Sequence, residues 1–168
     1  MLRLANLTLA RGARRLIEGA DVTVHDGHKV GLVGANGTGK STLFAALRGE
    51  LLPDAGSIDL PARWTVAHVA QETPPVDAPA IEYVLDGDRE LREVERELAR
   101  LHAGTEPVNV ATLGELQHRY EAIGGYSARA RAAALLAGLG FAHARHEDVV
   151  ASFSGGWRMR LNLAQALM

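Results

Sequence analysis

Cysteine is absent from the 168 residues of this chain, and lysine occurs only at Lys29 and Lys40. Without cysteine no disulfide framework can form, which favours an intracellular, cytoplasmic setting. The chain has no run of about 18 apolar residues, so we expect no membrane segment, and its first residues lack the blocks of a signal peptide. Since the net charge is only −2, nothing global directs the chain to nucleic acid or to a membrane surface.

The first part of the chain has the pattern of short strands. Residues 2–9 and 21–25 alternate apolar and polar side chains for much of their length, as half-buried strands do, and the Asp26-Gly27 pair is a strong hairpin signal. Residues 29–33 form an apolar, β-branched run typical of a buried parallel strand. Two further strand candidates follow at residues 57–60 and 64–69. An antiparallel β layer that leads into a buried strand is therefore predicted, within an α/β fold.

The best-defined motif of the chain directly follows that buried strand. It reads Gly34-Ala35-Asn36-Gly37-Thr38-Gly39-Lys40-Ser41-Thr42 and fits the pattern Gly, four residues, Gly-Lys-Ser/Thr of a phosphate-binding loop. The glycines lack a Cβ, so the backbone can approach a phosphate closely and turn its N–H groups toward it. Lys40 supplies positive charge for the β and γ phosphates, and the Ser41 hydroxyl is a Mg²⁺ ligand. The motif predicts binding of a nucleoside triphosphate.

The residues after the loop support this interpretation. Residues 41–49 are typical of a helix with Leu43, Ala46 and Leu47 on one face and Gly49 at its end. A helix in this place directs its N-terminal dipole at the same phosphates. A glycine-rich turn with a chance lysine is disfavoured, because strand, loop and helix occur in the required order.

A proline-rich stretch at residues 73–79 separates this part of the chain from a helical part. Its three prolines exclude a helix or a central strand, so we expect it to divide an ATP-binding core, residues 1–72, from a helical subdomain, residues 80–151. Ser127 is a candidate helix cap. Residues 81–85 are short and apolar, and apolar spacing predicts helices at residues 88–102, 111–123 and 127–137. The first and second of these helices would form a short antiparallel pair.

The last part of the chain, residues 152–168, contains a second candidate anion site. Ser154 is a good helix N-cap, but Gly155 and Gly156 follow it, although a glycine destabilises a helix interior by up to about 1 kcal/mol. The glycines are explained if an anion lies against bare backbone at the helix N-terminus. The alternative is an ordinary capped helix that tolerates two glycines in its first turn. That alternative is less favoured because the same chain also contains the phosphate-binding loop at residues 34–42.

Together these motifs resemble an ATP-binding cassette of the P-loop NTPase class. Residues 34–42 match the Walker A motif, Gln71 matches the Q-loop glutamine, and Ser154-Gly155-Gly156 matches the signature motif, in the family's order and over essentially the whole chain. Trp157 and the Arg-Met-Arg after it resemble the ABC-F family, whose members are soluble tandem-cassette ATPases, many of which act on ribosomes. Residues 83–89 resemble the YheS-like branch of that family, and the helical pair lies where ABC-F proteins carry an arm.

The resemblance implies a role for each matched residue. Lys40 and the loop amides would hold ATP, Ser41 and Gln71 would ligate Mg²⁺, and Lys40 and Gln71 would be the catalytic residues present. The signature residues Ser154, Gly155, Gly156 and Trp157 would instead face the ATP of a second cassette, so that closure requires nucleotide. The implied partners are that second cassette, in the same chain or a homodimer, and the ribosome.

Two features depart from the family pattern. The aromatic residue expected to stack on adenine is absent; Arg11 is nearest to its place, where its guanidinium either stacks on the base or is simply solvated. No Walker B strand with its general base occurs before Met168, so we expect a cassette truncated before Walker B, which binds Mg-ATP weakly and shows no turnover alone. The ATPase subunit of a membrane transporter and a non-catalytic ATP-binding module are the alternatives.

Overall fold

The structure, a computed structural model, describes residues 1–70, 76–103 and 109–168. Its internal contacts divide the chain into two units, Met1–Val66 and Ala67–Met168. Each unit has a hydrophobic core of its own.

A three-stranded antiparallel sheet forms most of the first unit. Strand β1 (Leu2–Arg11) lies between β2 (Arg14–Val24) and β3 (Ala55–Asp59). A two-residue turn joins β1 to β2, and both neighbours of β1 run antiparallel to it. The predicted antiparallel β layer is therefore confirmed.

The core of the first unit lies between this sheet and helix α1 (Lys40–Leu47). The apolar positions of β1 alternate up to Leu4 and resume at Leu7. At Asn6, between them, φ is 47° and the strand register shifts, so a bulge returns Leu7 to the buried face. Ala46, in the last turn of α1, is buried against these leucines, which packs that end of the helix against the sheet.

Two of the predicted strands are absent. Residues 29–33 and 64–69 have no strand conformation, and Val33 is 90% exposed. A strand needs a neighbour for its backbone hydrogen bonds, and within the described part of the chain no other strand pairs with either run. Asp26-Gly27 does form a turn, but it does not lead into a hairpin.

Helices make up most of the second unit. Within its described residues they are α2 (Ala80–Leu85), α3 (Arg89–Ala103), α4 (Val110–Ala122), α5 (Gly125–Gly138) and α6 (Gly155–Leu167). The three helices predicted between residues 88 and 137 are thus present, and α2 forms from the short apolar segment before them. The predicted cap at Ser127 is wrong, because α5 starts after Gly124, whose φ of 70° turns the chain, and the Ser127 hydroxyl donates to the Gly124 carbonyl.

The core of the second unit is formed by α2, α5, α6 and the start of α3, with the segment that joins α5 to α6. Its buried members are Ala80, Ile81, Val84, Leu85, Leu91, Ala128, Ala132, Leu136, Phe141, Val150, Phe153, Leu161 and Ala164. Because α6 contributes to this core, its N-terminus is held in a fixed place on the unit.

Helices α3 and α4 run antiparallel. Arg119, near the end of α4, pairs with Glu90 at 3.1 Å and Glu93 at 3.2 Å, both near the start of α3. Such exposed pairs contribute at most about 1 kcal/mol each. Apolar burial therefore matters more for holding the pair, through side chains such as Val94 and Leu116.

Glu82 on α2 is the centre of an ion-pair network in this unit. Its carboxylate accepts from Arg92 at 2.7 Å and from Arg129 at 2.6 Å. The pKa of Glu82 lies below its ordinary 4.5, mainly because Arg92 donates a hydrogen bond to the carboxylate. Burial of the side chain has the opposite, weaker effect on this pKa. The network ties α2 to α3 and α5.

We expect Glu82→Gln to destabilise the second unit by about 1 kcal/mol at neutral pH, because Arg92 and Arg129 lose a charged partner that is still partly screened by solvent. Since the pKa of Glu82 is lowered by folding, its contribution is present above pH 4.5 and is lost as the pH falls through the folded-state pKa. Urea unfolding at neutral pH and in acid measures this. Glu147→Gln, which removes an exposed pair with Arg129, is the control. A deficit for Glu82→Gln that persists in acid would contradict the prediction.

Candidate functional site

The phosphate loop, residues 34–42, lies just before and within the first turn of α1. Most of its residues are exposed, whereas Gly39 is buried and Lys40 is half-buried. Gly37 and Gly39 have φ values of 80° and 101°, in the left-handed region that side chains with a Cβ rarely adopt. The backbone of the loop therefore requires glycine at these two positions.

Lys40 folds back on its own loop. Its Nζ donates to the carbonyl oxygens of Gly34 and Ala35, both at 2.7 Å. The Thr38 hydroxyl also donates to the Ala35 carbonyl, at 2.9 Å. These bonds give the loop a defined conformation and place the ammonium group of the motif directly against its backbone.

The N-terminus of α1 adds a second feature suited to an anion. Helix α1 begins at Lys40, no side chain caps it, and its first turn contains no acidic residue. The partial positive charge of the helix end is therefore not neutralised by a carboxylate in that turn. Ser41 in the same turn is exposed, so its hydroxyl is accessible to a ligand.

Leu16 of β2 supports the loop from the sheet. A Cβ built on Gly39 would lie 2.8 Å from the Cβ of Leu16, which is closer than side chains pack. Leu16 thus fills the space behind Gly39 and adds a steric reason for that glycine. Sequence reasoning missed this contact, because nothing in the pattern around Leu16 distinguishes it from any other apolar strand residue.

Two residues predicted to act with the loop are not brought to it by any described contact. Arg11 ends β1 and is exposed, which agrees equally with stacking on a base and with simple solvation. Gln71 lies outside the described residues, and Ala70 is the last described residue before it. The roles of Arg11 and Gln71 stay predictions.

The second glycine pair lies at the N-terminus of α6, with Ser154 at the N-cap as predicted. The Ser154 side chain makes no capping hydrogen bond, and the first turn of α6 contains no acidic residue. Gly155 and Gly156 are exposed, and a Cβ on either would meet no atom within 4 Å. Neither packing nor a positive φ requires glycine at these two positions.

Trp157 packs within its own unit. Its ring makes an edge contact with Phe141 at 4.8 Å between centroids, and the guanidinium of Arg160 lies 4.6 Å from the ring centroid. The side chain is half-buried. Trp157 therefore anchors the start of α6 to the core, and only its exposed part is available for the predicted contact with a second cassette.

In residues 1–70, 76–103 and 109–168 no three His, Cys, Asp or Glu side chains are grouped so that they would hold a metal ion. Over the same ranges, no helix has both the length and the apolar character to cross a membrane.

The chain is similar to known proteins over its whole length. The family model described as ABC transporter matches residues 17–168. The probable ATP-binding protein YheS of Escherichia coli K12 is 48% identical over 168 residues, which are 100% of this chain and 26% of that protein. ATP-binding cassette sub-family F member 3 of Mus musculus is 42% identical over 171 residues, which are 99% of this chain and 23% of that protein. The chain thus spans about a quarter of the length of these curated relatives.

A solved structure gives the same fold. A nucleotide-free ATP-binding cassette from an ABC transporter matches with a TM-score of 0.65 at 22% identity, covering 99% of this chain and 64% of that one. The predicted ATP-binding cassette fold is confirmed by this match. The resemblance to the ABC-F family is confirmed by the two curated relatives.

Proposed function

Because the chain belongs to the ABC transporter family, we propose that it holds ATP as half of a composite site in a nucleotide-driven ATPase switch of the ABC-F kind. The observation that carries this proposal is the loop at residues 34–42, with the Lys40 ammonium against its backbone. The uncapped N-terminus of α1 begins within the same loop. Bare backbone, one ammonium group and a helix N-terminus together suit a polyphosphate anion.

Each site residue contacts a different part of Mg-ATP. The Lys40 ammonium contributes a single positive charge to the phosphates, and the backbone amides of residues 34–42 donate hydrogen bonds to them. The oxygens of Ser41 and Gln71 hold Mg²⁺, a hard cation that prefers oxygen ligands. Bound Mg²⁺ neutralises phosphate charge. Arg11 either stacks on the base through its planar guanidinium or stays solvated beside it.

The glycine pair of α6 contacts a different nucleotide, one that is bound by a second cassette. Ser154, Gly155 and Gly156 present exposed backbone at a helix N-terminus, which suits a phosphate that arrives on a second cassette. Two cassettes would then join only while ATP lies between them, and hydrolysis by the complete protein would release them.

Gly156→Asp is expected to separate nucleotide binding from pairing of the cassettes. A carboxylate in the first turn of a helix stabilises it by about 0.3–1 kcal/mol, and the site has room for a side chain, so the variant should fold and bind Mg-ATP normally. The same carboxylate repels the γ-phosphate of the partner's ATP. In the longer protein that carries this chain, energy transfer between labelled cassettes should lose its response to ATP.

Gly114→Asp is the matched control, because Gly114 is a helical glycine in open space on α4. We expect that variant to keep the ATP response. An unchanged response in Gly156→Asp would contradict the role proposed for α6.

The proposed target of the switch is the ribosome in translation. This rests on the similarity to ABC-F relatives and on the charged pair α3 and α4, which would correspond to the arm that the resemblance implies. Co-sedimentation of the longer protein with ribosomes, in a non-hydrolysable ATP analogue and in ADP, tests this proposal. Equal recovery of the protein in both nucleotides would count against it.

The family model and the matched cassette from a transporter favour a second candidate function, the ATPase subunit of a transporter. A membrane-embedded partner recovered in a pull-down would support that candidate.

A further inference from the structure

Asn162 is a buried polar residue on the inner face of α6. It is 3% exposed, and the nearby Leu161 and Ala164 on the same face are fully buried. A buried amide without hydrogen-bond partners destabilises a protein. Asn162 has two described partners: its Oδ1 accepts from the Tyr83 hydroxyl at 2.6 Å, and its Nδ2 donates to the Ala70 carbonyl at 3.0 Å.

The orientation of the amide follows from those partners. The Ala70 carbonyl can only accept, so the NH₂ group must face it and the oxygen must face Tyr83. Burial raises the pKa of Tyr83, so its hydroxyl keeps the proton that it donates. Gln165, one turn further along α6, donates to the Tyr83 carbonyl at 2.8 Å. Both ends of Tyr83 are therefore held by α6.

These bonds join three pieces of the second unit: α6, α2 and the chain at Ala70. Asn162 follows Gly155 by about two helical turns, or roughly 10 Å along a rigid helix. A shift of the α6 N-terminus is therefore carried along the helix to the amide that holds Ala70. Ala70 directly precedes Gln71 in the chain.

We propose that Asn162 is a positioning residue that ties the segment entering Gln71 to the helix carrying Gly155 and Gly156. The proposal rests on the proposed function, in which Gln71 is a Mg²⁺ ligand. Loss of the amide frees the Ala70 carbonyl from α6, so it weakens the part of nucleotide binding that depends on Mg²⁺. It leaves the part supplied by the phosphate loop intact.

The test is the affinity of this chain for ATP, titrated in Mg²⁺ and again in EDTA. The ratio of the two affinities measures the contribution of Mg²⁺. Asn162→Ala is expected to lower this ratio about five- to tenfold, as the loss of one hydrogen bond would, while the affinity in EDTA stays the same. Asn109→Ala, which removes the side-chain cap of α4 at 3.0 Å, controls for general destabilisation and should leave the ratio unchanged.

The outcomes separate the two proposals. A wild-type chain that binds no ATP would overturn the proposed function. A wild-type chain whose affinity does not depend on Mg²⁺, an Asn162→Ala variant with the wild-type ratio, or equal losses in Mg²⁺ and EDTA would overturn the positioning role alone. If Asn162→Ala does not fold, Tyr83→Phe decides, since it removes only the hydroxyl: a ratio lowered about twofold supports the role, and an unchanged ratio overturns it.

Discussion

Lys40→Ala is expected to reduce Mg-ATP binding by this chain about tenfold to a hundredfold. Lys40 supplies the only ammonium group in the loop at residues 34–42, and hydrogen bonds to charged groups contribute about 1.5–3 kcal/mol. Alanine removes that charge and keeps the glycine backbone of the loop. Isothermal titration with Mg-ATP, at protein concentrations suited to weak binding, measures the change.

Lys29→Ala is the matched control, because Lys29 is the other lysine of the chain and is exposed outside the loop. It removes the same charge from the same unit, and we expect its affinity to equal that of the wild type. Within the described residues, the Lys40 ammonium donates to the carbonyls of Gly34 and Ala35, which are both exposed, so both variants should unfold at nearly the same temperature as the wild type. Equal loss of affinity in the two variants would indicate a general charge effect and contradict a loop-specific role.

Leu161→Ala is expected to destabilise the second unit by about 2–5 kcal/mol, the range for a buried leucine replaced by alanine. Leu161 on α6 is fully buried among the core residues of that unit. The cavity would loosen the helix that carries Gly155 and Gly156. Urea unfolding followed by the circular dichroism of the helices measures the free energy.

Leu163→Ala supplies the comparison on the same helix. Leu163 is 39% exposed, so we expect this substitution to cost less than about 1 kcal/mol. The two variants remove the same atoms two positions apart, and only the face of α6 differs. Similar losses of stability would contradict the orientation of α6.

The helices and the phosphate loop could be predicted from the sequence because their signals are local. Gly37 and Gly39 occupy left-handed backbone positions that the loop motif requires, whatever surrounds them. The stripe of Leu91 and Val94 repeats at helical spacing, and both residues are buried as that spacing predicts. Capping is subtler: α5 starts after Gly124 rather than at Ser127, because the left-handed Gly124 ends α4 and the next helix begins directly after it.

The strands at residues 29–33 and 64–69 could not be predicted reliably, because a strand depends on a neighbour that its own residues do not encode. An apolar β-branched run is suited to a sheet but remains irregular where no described strand pairs with it. The contacts of Leu16 and Asn162 are likewise tertiary. For Asn162 a signal did exist, since an amide at an inward position between Leu161 and Ala164 calls for a partner.

We propose that the loop at residues 34–42 holds the ATP of this chain while Gly155 and Gly156 contact the ATP of another cassette. Amide NMR spectra of the isotopically labelled chain, recorded during a titration with Mg-ATP, test both halves at once. We expect the amide signals of residues 34–42 to shift and those of Gly155 and Gly156 to stay in place while no second cassette is added. If the loop signals do not shift, or if the signals of Gly155 and Gly156 shift in the isolated chain, the proposed division between the two sites is contradicted.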